Sequence, residues 1–286
     1  MNFGGYRFGM EWKAVAYKSA DGIGVITLNR PHRSNAWTGR MAFEYRTAMQ
    51  LAERDEQVGV IVVTGEGRHF CVGADTRALD RFAESGHYES GVRDPLPEPG
   101  EPDHPAYGTV FGFPLAVAKP VIAAVNGAVA GVGFVLACFT DVRFGAAGAK
   151  WTPSGSKLGL PAEHAISWIL PRLVGYGRAA EWLFSSRVVL SEEAQAMGLL
   201  HAVHPPEDVL EATLAYARAL VDEAAPSSLS TIKRQLTLDL FRPLADSAGE
   251  SNRLIEDMIG SDDYRRGIKA LVEKRPPGFA ERYQSF

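Results

Sequence analysis

The sequence predicts an α/β fold followed by a region of helices. Two β-branched runs, 58–64 and 120–125, lie among segments with helical spacing, which is typical of a mostly parallel sheet covered by helices. After Pro205 the apolar residues recur at helical spacing, and no strand-like run follows. We therefore expect an N-terminal arm at 1–12, an α/β core at 13–205 and a C-terminal helical region at 206–286.

The first element of the core is predicted to be a β-hairpin. Strand-like runs at 14–20 and 23–29 flank the pair Asp21 and Gly22. Both residue types tolerate a positive φ, which a tight turn between two antiparallel strands requires.

An amphipathic helix is expected next. Met41, Tyr45, Ala48 and Ala52 recur at the spacing of one helix face, and Thr38 is placed to cap the first turn. The run 58–64 that follows is apolar on both faces, so it predicts a strand buried on both sides.

The later part of the core repeats this alternation of strands and helices. We expect a strand at 120–125, a glycine-punctuated helix at 131–140 and a further strand at 142–146. Between 86 and 107 the chain has five prolines, three glycines and no apolar period, which predicts a long exposed loop. In the C-terminal region, apolar spacing around 210–221 and 232–240 predicts helices.

Composition favours a globular protein that acts on small molecules. A net charge of −4 gives no general attraction to nucleic acid or to anionic lipid, so neither is expected as a partner. No apolar stretch reaches the ~20 residues that span a bilayer, and no signal peptide is evident. Two cysteines in apolar stretches fit a reducing, cytoplasmic compartment.

Two glycine-containing turns are the candidate functional segments. In the first, Gly73 allows a sharp turn, Asp75 can cap the next helix, and the amide of Ala74 is left for a ligand. In the second, Gly131 and Gly133 flank Val132, whose amide lies at the positive end of a helix. Two such amides would stabilise an oxygen that becomes negative when a neighbouring C–H is deprotonated. Each turn taken singly is equally compatible with a packing role.

Four segments together resemble the crotonase superfamily of enoyl-CoA hydratases and isomerases. KPVIAAVNG at 119–127 with GVG at 131–133 is similar to its signature segment, and RHFCVGAD at 68–75 to its other oxyanion-hole segment. LNRP at 28–31 with Asn35 and Ala36 looks like its early coenzyme A-binding loop. DDYRRG at 262–267, continuing to Phe279, looks like its closing helix, so the resemblance covers about 14–279.

The resemblance implies a crotonase-like spiral of repeated ββα units, assembled as a homotrimer or a dimer of trimers. It implies coenzyme A as part of the substrate and no separate cofactor. Lys274 matches a residue that reaches the coenzyme A phosphate, whereas His32 and Arg33 are weaker candidates. For these three a solvated surface charge is an open alternative. The complete set of coenzyme A-binding candidates is His32, Arg33, Ala36, Gly73, Asp75 and Lys274.

The sequence departs from the hydratase pattern at two positions. By this resemblance, the two glutamates of the family's hydratases match Val135 and Gly155, so standard hydration, which two carboxyls serve well, is not favoured. Glu163 stands where related dienoyl-CoA isomerases carry an aspartate. In an apolar pocket its pKa would rise, and it could remove a proton from one carbon and return it to another. The alternative is that Glu163 caps a helix at 164–173.

These residues favour double-bond isomerisation of an enoyl-CoA, with Ala74, Val132 and Glu163 as the catalytic residues. A hydratase that uses Glu163 with a bound water, and an acyl-CoA-binding protein with little turnover, remain as alternatives. No metal site is expected, because His201 and His204 lack the spacing and the further ligands of zinc sites. NAD is not expected because the glycine turn lacks a third glycine.

Overall fold

A computed structural model describes residues 11–87 and 96–283 of the chain. Its larger sheet has six strands in the order β1-β2-β3-β5-β7-β10, and all neighbours except β1 and β2 are parallel. The smaller sheet has the order β4-β6-β8-β9, with only β8 and β9 antiparallel. The strands are β1 Val15–Ala20, β2 Gly22–Leu28, β3 Val58–Gly65, β4 His69–Cys71, β5 Val121–Val125, β6 Ala128–Ala130, β7 Val142–Ala146, β8 Lys150–Thr152, β9 Val189–Leu190 and β10 Ala202–His204.

Ten α-helices connect and cover these strands in the described part of the chain. Six lie before β10 in sequence, and four follow it. They are α1 Gly39–Arg54, α2 Thr76–Ser85, α3 Val132–Cys138, α4 Ile166–Val174, α5 Tyr176–Ser185, α6 Ser191–Ala196, α7 Val209–Glu223, α8 Pro226–Leu238, α9 Leu244–Ile259 and α10 Asp262–Glu273.

The opening hairpin and the first helix form as the sequence predicts. Asp21 and Gly22 have φ of 51° and 79°, the left-handed values that a tight hairpin turn requires. Thr38 caps α1 because its side chain accepts a hydrogen bond from the amide of Met41 at 3.2 Å.

The larger sheet is buried on both faces. Ile61 and Val63 of β3 point into the main core, which also holds α1 and the smaller sheet. Val60 and Val62 point the other way, into a second cluster that α7 and Tyr283 close. Because successive side chains of a strand alternate between faces, the continuous apolar run of β3 serves both clusters.

The predicted exposed loop at 86–107 is partly wrong for its second half, where exposed residues alternate with buried ones. Residues 88–95 lie outside the described residues, but the chain from 96 onwards packs against the core without forming a helix or a strand. The Gly100 amide donates to Glu53 at 2.8 Å, and His104 is buried, with its Nε2 2.8 Å from the Thr237 hydroxyl. The segment therefore fastens α8 to α1 through polar side chains rather than through an apolar stripe.

The C-terminal helices differ in how much they bury. α7 lies across β2, β3 and β5, with Val209, Ala217 and Val221 fully or almost fully buried. α9 has no buried residue, and α10 has only Ala270. None of the helices in 11–87 and 96–283 is long and apolar enough to cross a membrane. The first ten residues of the predicted arm lie outside the described residues.

Candidate active site

The two glycine turns lie against each other. β4 and β6 are parallel neighbours, so their carboxyl ends, which lead into Gly73 and Gly131, meet at one edge of the smaller sheet. A Cβ added to Gly131 would lie 3.7 Å from the Cα of Gly73. A Cβ added to Gly133 would lie 2.0 Å from the carbonyl oxygen of Cys71, a distance that no side chain tolerates. Glycine at this position therefore allows α3 to begin directly beside the first turn.

Both candidate amides lack an acceptor among the residues that the structure describes. The neighbouring amides are used: Asp75 donates to the Trp37 carbonyl and Gly131 to the Thr152 carbonyl, both at 3.0 Å. Neither Ala74 nor Val132 donates a backbone hydrogen bond within 11–87 and 96–283. Val132 is the first residue of α3, where the helix dipole favours negative charge.

A small cavity opens beside Val132, at the N-terminal ends of α3 and α4. It encloses about 40 Å³, enough for a few water molecules. Glu163 is the only carboxylate among its described lining residues, and Ser156 and His164 are the other polar side chains. The remaining wall is mostly apolar and includes Phe134, Val135, Leu160, Ile166 and Leu183.

Glu163 is half-buried in this cavity, and burial raises the pKa of its carboxyl above the usual value. No side-chain hydrogen bond or ion pair holds the carboxylate within the described part of the chain. It does not cap a helix either. α4 begins at Ile166, later than predicted, and the Glu163 carbonyl, not its side chain, accepts the Ile166 amide at 3.0 Å.

His164 is a cavity residue that sequence reasoning did not single out. It has a φ of 53° and Ala165 one of 60°, so the chain makes a left-handed turn before α4. The imidazole ring packs edge-on against Phe111 at a centroid distance of 4.6 Å, and burial lowers its pKa. The sequence contained one signal, a histidine beside the candidate acid, but nothing local indicated the left-handed turn.

The two positions that the sequence resemblance matches to the hydratase glutamates also line the cavity. Val135 presents an apolar side chain, and Gly155 presents none. A Cβ at Gly155 would lie 2.9 Å from the carbonyl oxygen of Pro161, so any side chain there requires the backbone to shift. The loop that carries Glu163 therefore packs so closely against Gly155 that this position has no room for a side chain.

Asp75 is engaged in structural contacts. Its carboxylate accepts from the Arg77 amide at 3.1 Å, capping α2, and pairs with Arg30 at 3.2 Å and Arg33 at 3.4 Å. Burial alone would raise the pKa of Asp75, but these three donors outweigh it and lower the pKa. Arg33 therefore lies beside the first glycine turn, held by Asp75.

The remaining coenzyme A candidates belong to two segments of the chain, the early loop and the end of α10. Asn35 anchors the early loop by donating to the carbonyls of Glu66 and His69, and Ala36 beside it is buried. His32 is exposed on that loop. Lys274 follows α10 with a φ of 52° and makes no ion pair with the described part of the early loop.

The structure places no three His, Cys, Asp or Glu side chains of 11–87 and 96–283 together as a metal site. Burial raises the pKa of the Cys71 thiol to about 12, so this side chain is unsuited to nucleophilic attack.

Comparisons with known proteins agree with this geometry. The sequence model of the enoyl-CoA hydratase/isomerase family matches residues 18–282. A probable enoyl-CoA hydratase from Rhodobacter capsulatus is 33% identical over 96% of this chain and 100% of its own length. A 1,2-epoxyphenylacetyl-CoA isomerase from Escherichia coli is 31% identical over 90% of this chain and 95% of its own length.

A solved structure of the same family has a similar fold. A probable enoyl-CoA hydratase/isomerase from Mycobacterium abscessus superposes with a TM-score of 0.79 and 29% identity, covering 92% of this chain and 97% of that one. The two sheets, the abutting glycine turns and the family match together establish that the chain belongs to the enoyl-CoA hydratase/isomerase family, with the crotonase fold.

Proposed function

We propose that this protein isomerises the carbon–carbon double bond of an enoyl-CoA thioester. The observation that carries the proposal is a single carboxylate, Glu163, in a mostly apolar cavity that also contains Val132 at the start of α3. A partly buried carboxylate with a raised pKa takes up and releases a proton more readily near neutral pH than an exposed one.

In the proposed reaction the thioester oxygen accepts hydrogen bonds from the amides of Ala74 and Val132. Glu163 removes a proton from the carbon next to the thioester, and the electron pair enters an enolate whose charge the two amides stabilise. The proton returns at a carbon further along the chain, the double bond shifts, and the carbonyl reforms. One base is sufficient, which agrees with the presence of Val135 and Gly155 in the cavity wall.

The test is Glu163→Gln, which keeps the shape of the side chain and removes the base. We expect kcat to fall by roughly 10²-fold or more on 3-enoyl-CoA or dienoyl-CoA substrates. Glu207→Gln, at an exposed position, is the matched control for the loss of one carboxylate. Unchanged turnover in Glu163→Gln would reject the role of this residue.

Hydration is the second candidate, because the Rhodobacter capsulatus relative is named a probable enoyl-CoA hydratase and the cavity has room for water. Incubation of the wild-type protein with 2-enoyl-, 3-enoyl- and dienoyl-CoA in deuterated water separates the candidates. Isomerisation gives a shifted double bond, whereas hydration gives a hydroxyacyl product. Binding without product or label exchange would favour an acyl-CoA-binding protein with little turnover.

We also propose that coenzyme A is bound as part of the substrate, near His32, Arg33, Ala36 and the first glycine turn, with Lys274 reaching its phosphate. The supporting observation is that Arg33 lies beside that turn through Asp75. The residue that Lys274 matches in the crotonase superfamily often acts across a subunit boundary, so we expect Lys274 to act from a neighbouring subunit. The exposed apolar side chains of α9 and α10 support self-association, and the family resemblance makes a homotrimer or a dimer of trimers the expected assembly.

A further inference from the structure

The turn that leads into α4 is conformationally unusual. His164 and Ala165 are consecutive residues with left-handed backbone angles, φ 53° and 60°. Gly, Asn, Asp and His are the residues found most often at such angles, so the unusual features are the alanine and the pairing of two such residues. Residues held in such conformations concentrate at functional sites, because the surrounding structure must maintain them. Here the turn places two titratable side chains, those of Glu163 and His164, in the wall of one cavity.

The surroundings fix the imidazole at this place. Its ring packs edge-on against Phe111, a buried residue that follows the 96–107 segment in sequence. Val132, the first residue of α3, lines the same cavity. Among the described lining residues, Glu163 and His164 are the only two that can exchange a proton near neutral pH.

We propose that His164 is a second proton-transfer residue, which takes the proton from Glu163 and delivers it to a distal carbon of the acyl chain. This inference rests on the function proposed above. It extends that function to thioesters in which the carbons that lose and gain the proton are too far apart for one carboxyl group.

The relay conserves protons and electrons. The C–H bond next to the thioester breaks as an O–H bond forms on Glu163, and the electron pair enters an extended enolate. The O–H bond then breaks as an N–H bond forms on neutral His164, giving an imidazolium. That N–H bond breaks when the extended enolate forms the new C–H bond at the distal carbon, and the carbonyl is restored. The directions of the two pKa shifts, upward for Glu163 and downward for His164, bring donor and acceptor closer in proton affinity.

The test separates the first proton transfer from the second. The substrate is a 3,5-dienoyl-CoA, in which the proton moves from the carbon next to the thioester to a distal carbon. In deuterated water, deuterium incorporation next to the thioester of recovered substrate reports removal of the proton by Glu163. Formation of the shifted double bond reports delivery at the distal carbon. The variant is His164→Asn, because asparagine tolerates the left-handed conformation and does not titrate. Ser167→Ala, at an exposed position in the first turn of α4, is the matched control.

We expect His164→Asn to retain incorporation next to the thioester within about twofold and to lose roughly tenfold or more of the isomerisation rate. His164→Gly removes the ring without backbone strain, and added imidazole is expected to restore part of its isomerisation rate. Glu163→Gln is expected to lose both activities.

Two results would overturn the relay. Isomerisation by His164→Asn within twofold of wild type would show that Glu163 acts alone, leaving the proposed function intact. Loss of both incorporation and isomerisation in His164→Asn, with no recovery of His164→Gly by imidazole, would show that the ring only supports the site. Failure of the proposed function is recognised separately, because Glu163→Gln would then keep its incorporation and its turnover.

Discussion

The larger sheet and the two last helices use apolar residues in opposite ways. In β3 every residue except Gly59 is buried, and Ile61 has no exposed surface at all. In α10 the side chains of Tyr264, Ile268, Leu271 and Val272 share one helix face, yet they are between 42% and 76% exposed. The sheet thus obtains its stability within one chain. The helices carry an apolar face for which the described part of the chain supplies no partner, so the single chain does not account for it.

The first way to test this contrast is Ile61→Ala in β3. It removes a fully buried side chain that neighbouring strands cannot replace, so we expect a loss of roughly 2–5 kcal/mol in the free energy of unfolding, measured by urea denaturation. Leu271→Ala in α10 is the comparison, because this side chain is 74% exposed. At protein concentrations where the chain is monomeric it should cost less than about 0.5 kcal/mol. Equal losses at the two positions would contradict the contrast.

The second test addresses the exposed face directly. Ile259→Glu in α9 places a charge on a side chain that is 54% exposed in the single chain, and we expect the assembled protein to dissociate while the fold of the core persists. Analytical ultracentrifugation would report the fall in mass, and circular dichroism the intact fold. Asp246→Asn changes the charge of the same helix by one unit on a different side and should leave the mass unchanged. A wild-type protein that is already monomeric at high concentration would refute the proposed assembly.

The parts of the fold that could be predicted from the sequence are those with a local signal in the chain. β3 and the Asp21–Gly22 turn have local signals, an apolar run and a residue pair that tolerates positive φ, and both were predicted correctly. The strands of the smaller sheet were not predicted, because β4, β6 and β8 have three residues each and such runs are too short to show a period.

The error at 96–107 has a different cause. That segment is fastened by single polar contacts, such as Glu101 with Arg234 at 2.7 Å and His104 with Thr237, which leave no pattern along the chain. Proline-rich composition therefore predicted the absence of regular structure correctly, but it did not predict that residues such as His104 are buried.

The candidate site was predictable to a similar extent. Gly73, Gly131 and Glu163 were singled out from the sequence, and the structure places the two glycine turns together and Glu163 in the adjacent cavity. The position of His164 in the cavity wall follows two consecutive left-handed residues, His164 itself and Ala165. A non-glycine residue in that conformation is held there by tertiary packing, which a single sequence does not reveal.

The smallest expected effect concerns the site itself, where the partly buried carboxyl of Glu163 lowers the stability of the folded state when it is ionised. Because burial raises the pKa of Glu163, the folded state favours the protonated carboxyl. The resulting stabilisation is fully present below the unfolded-state pKa and is lost as the pH rises through the raised pKa. Glu163→Gln is always neutral, so we expect its Tm to equal that of wild type at acidic pH and to exceed it slightly at neutral pH. Thermal unfolding of both proteins between about pH 4 and pH 8 measures this difference. A Tm of Glu163→Gln that falls below wild type at neutral pH would mean that the ionised carboxylate stabilises the fold, and the argument for a proton-transfer group held at a cost in stability would then fail.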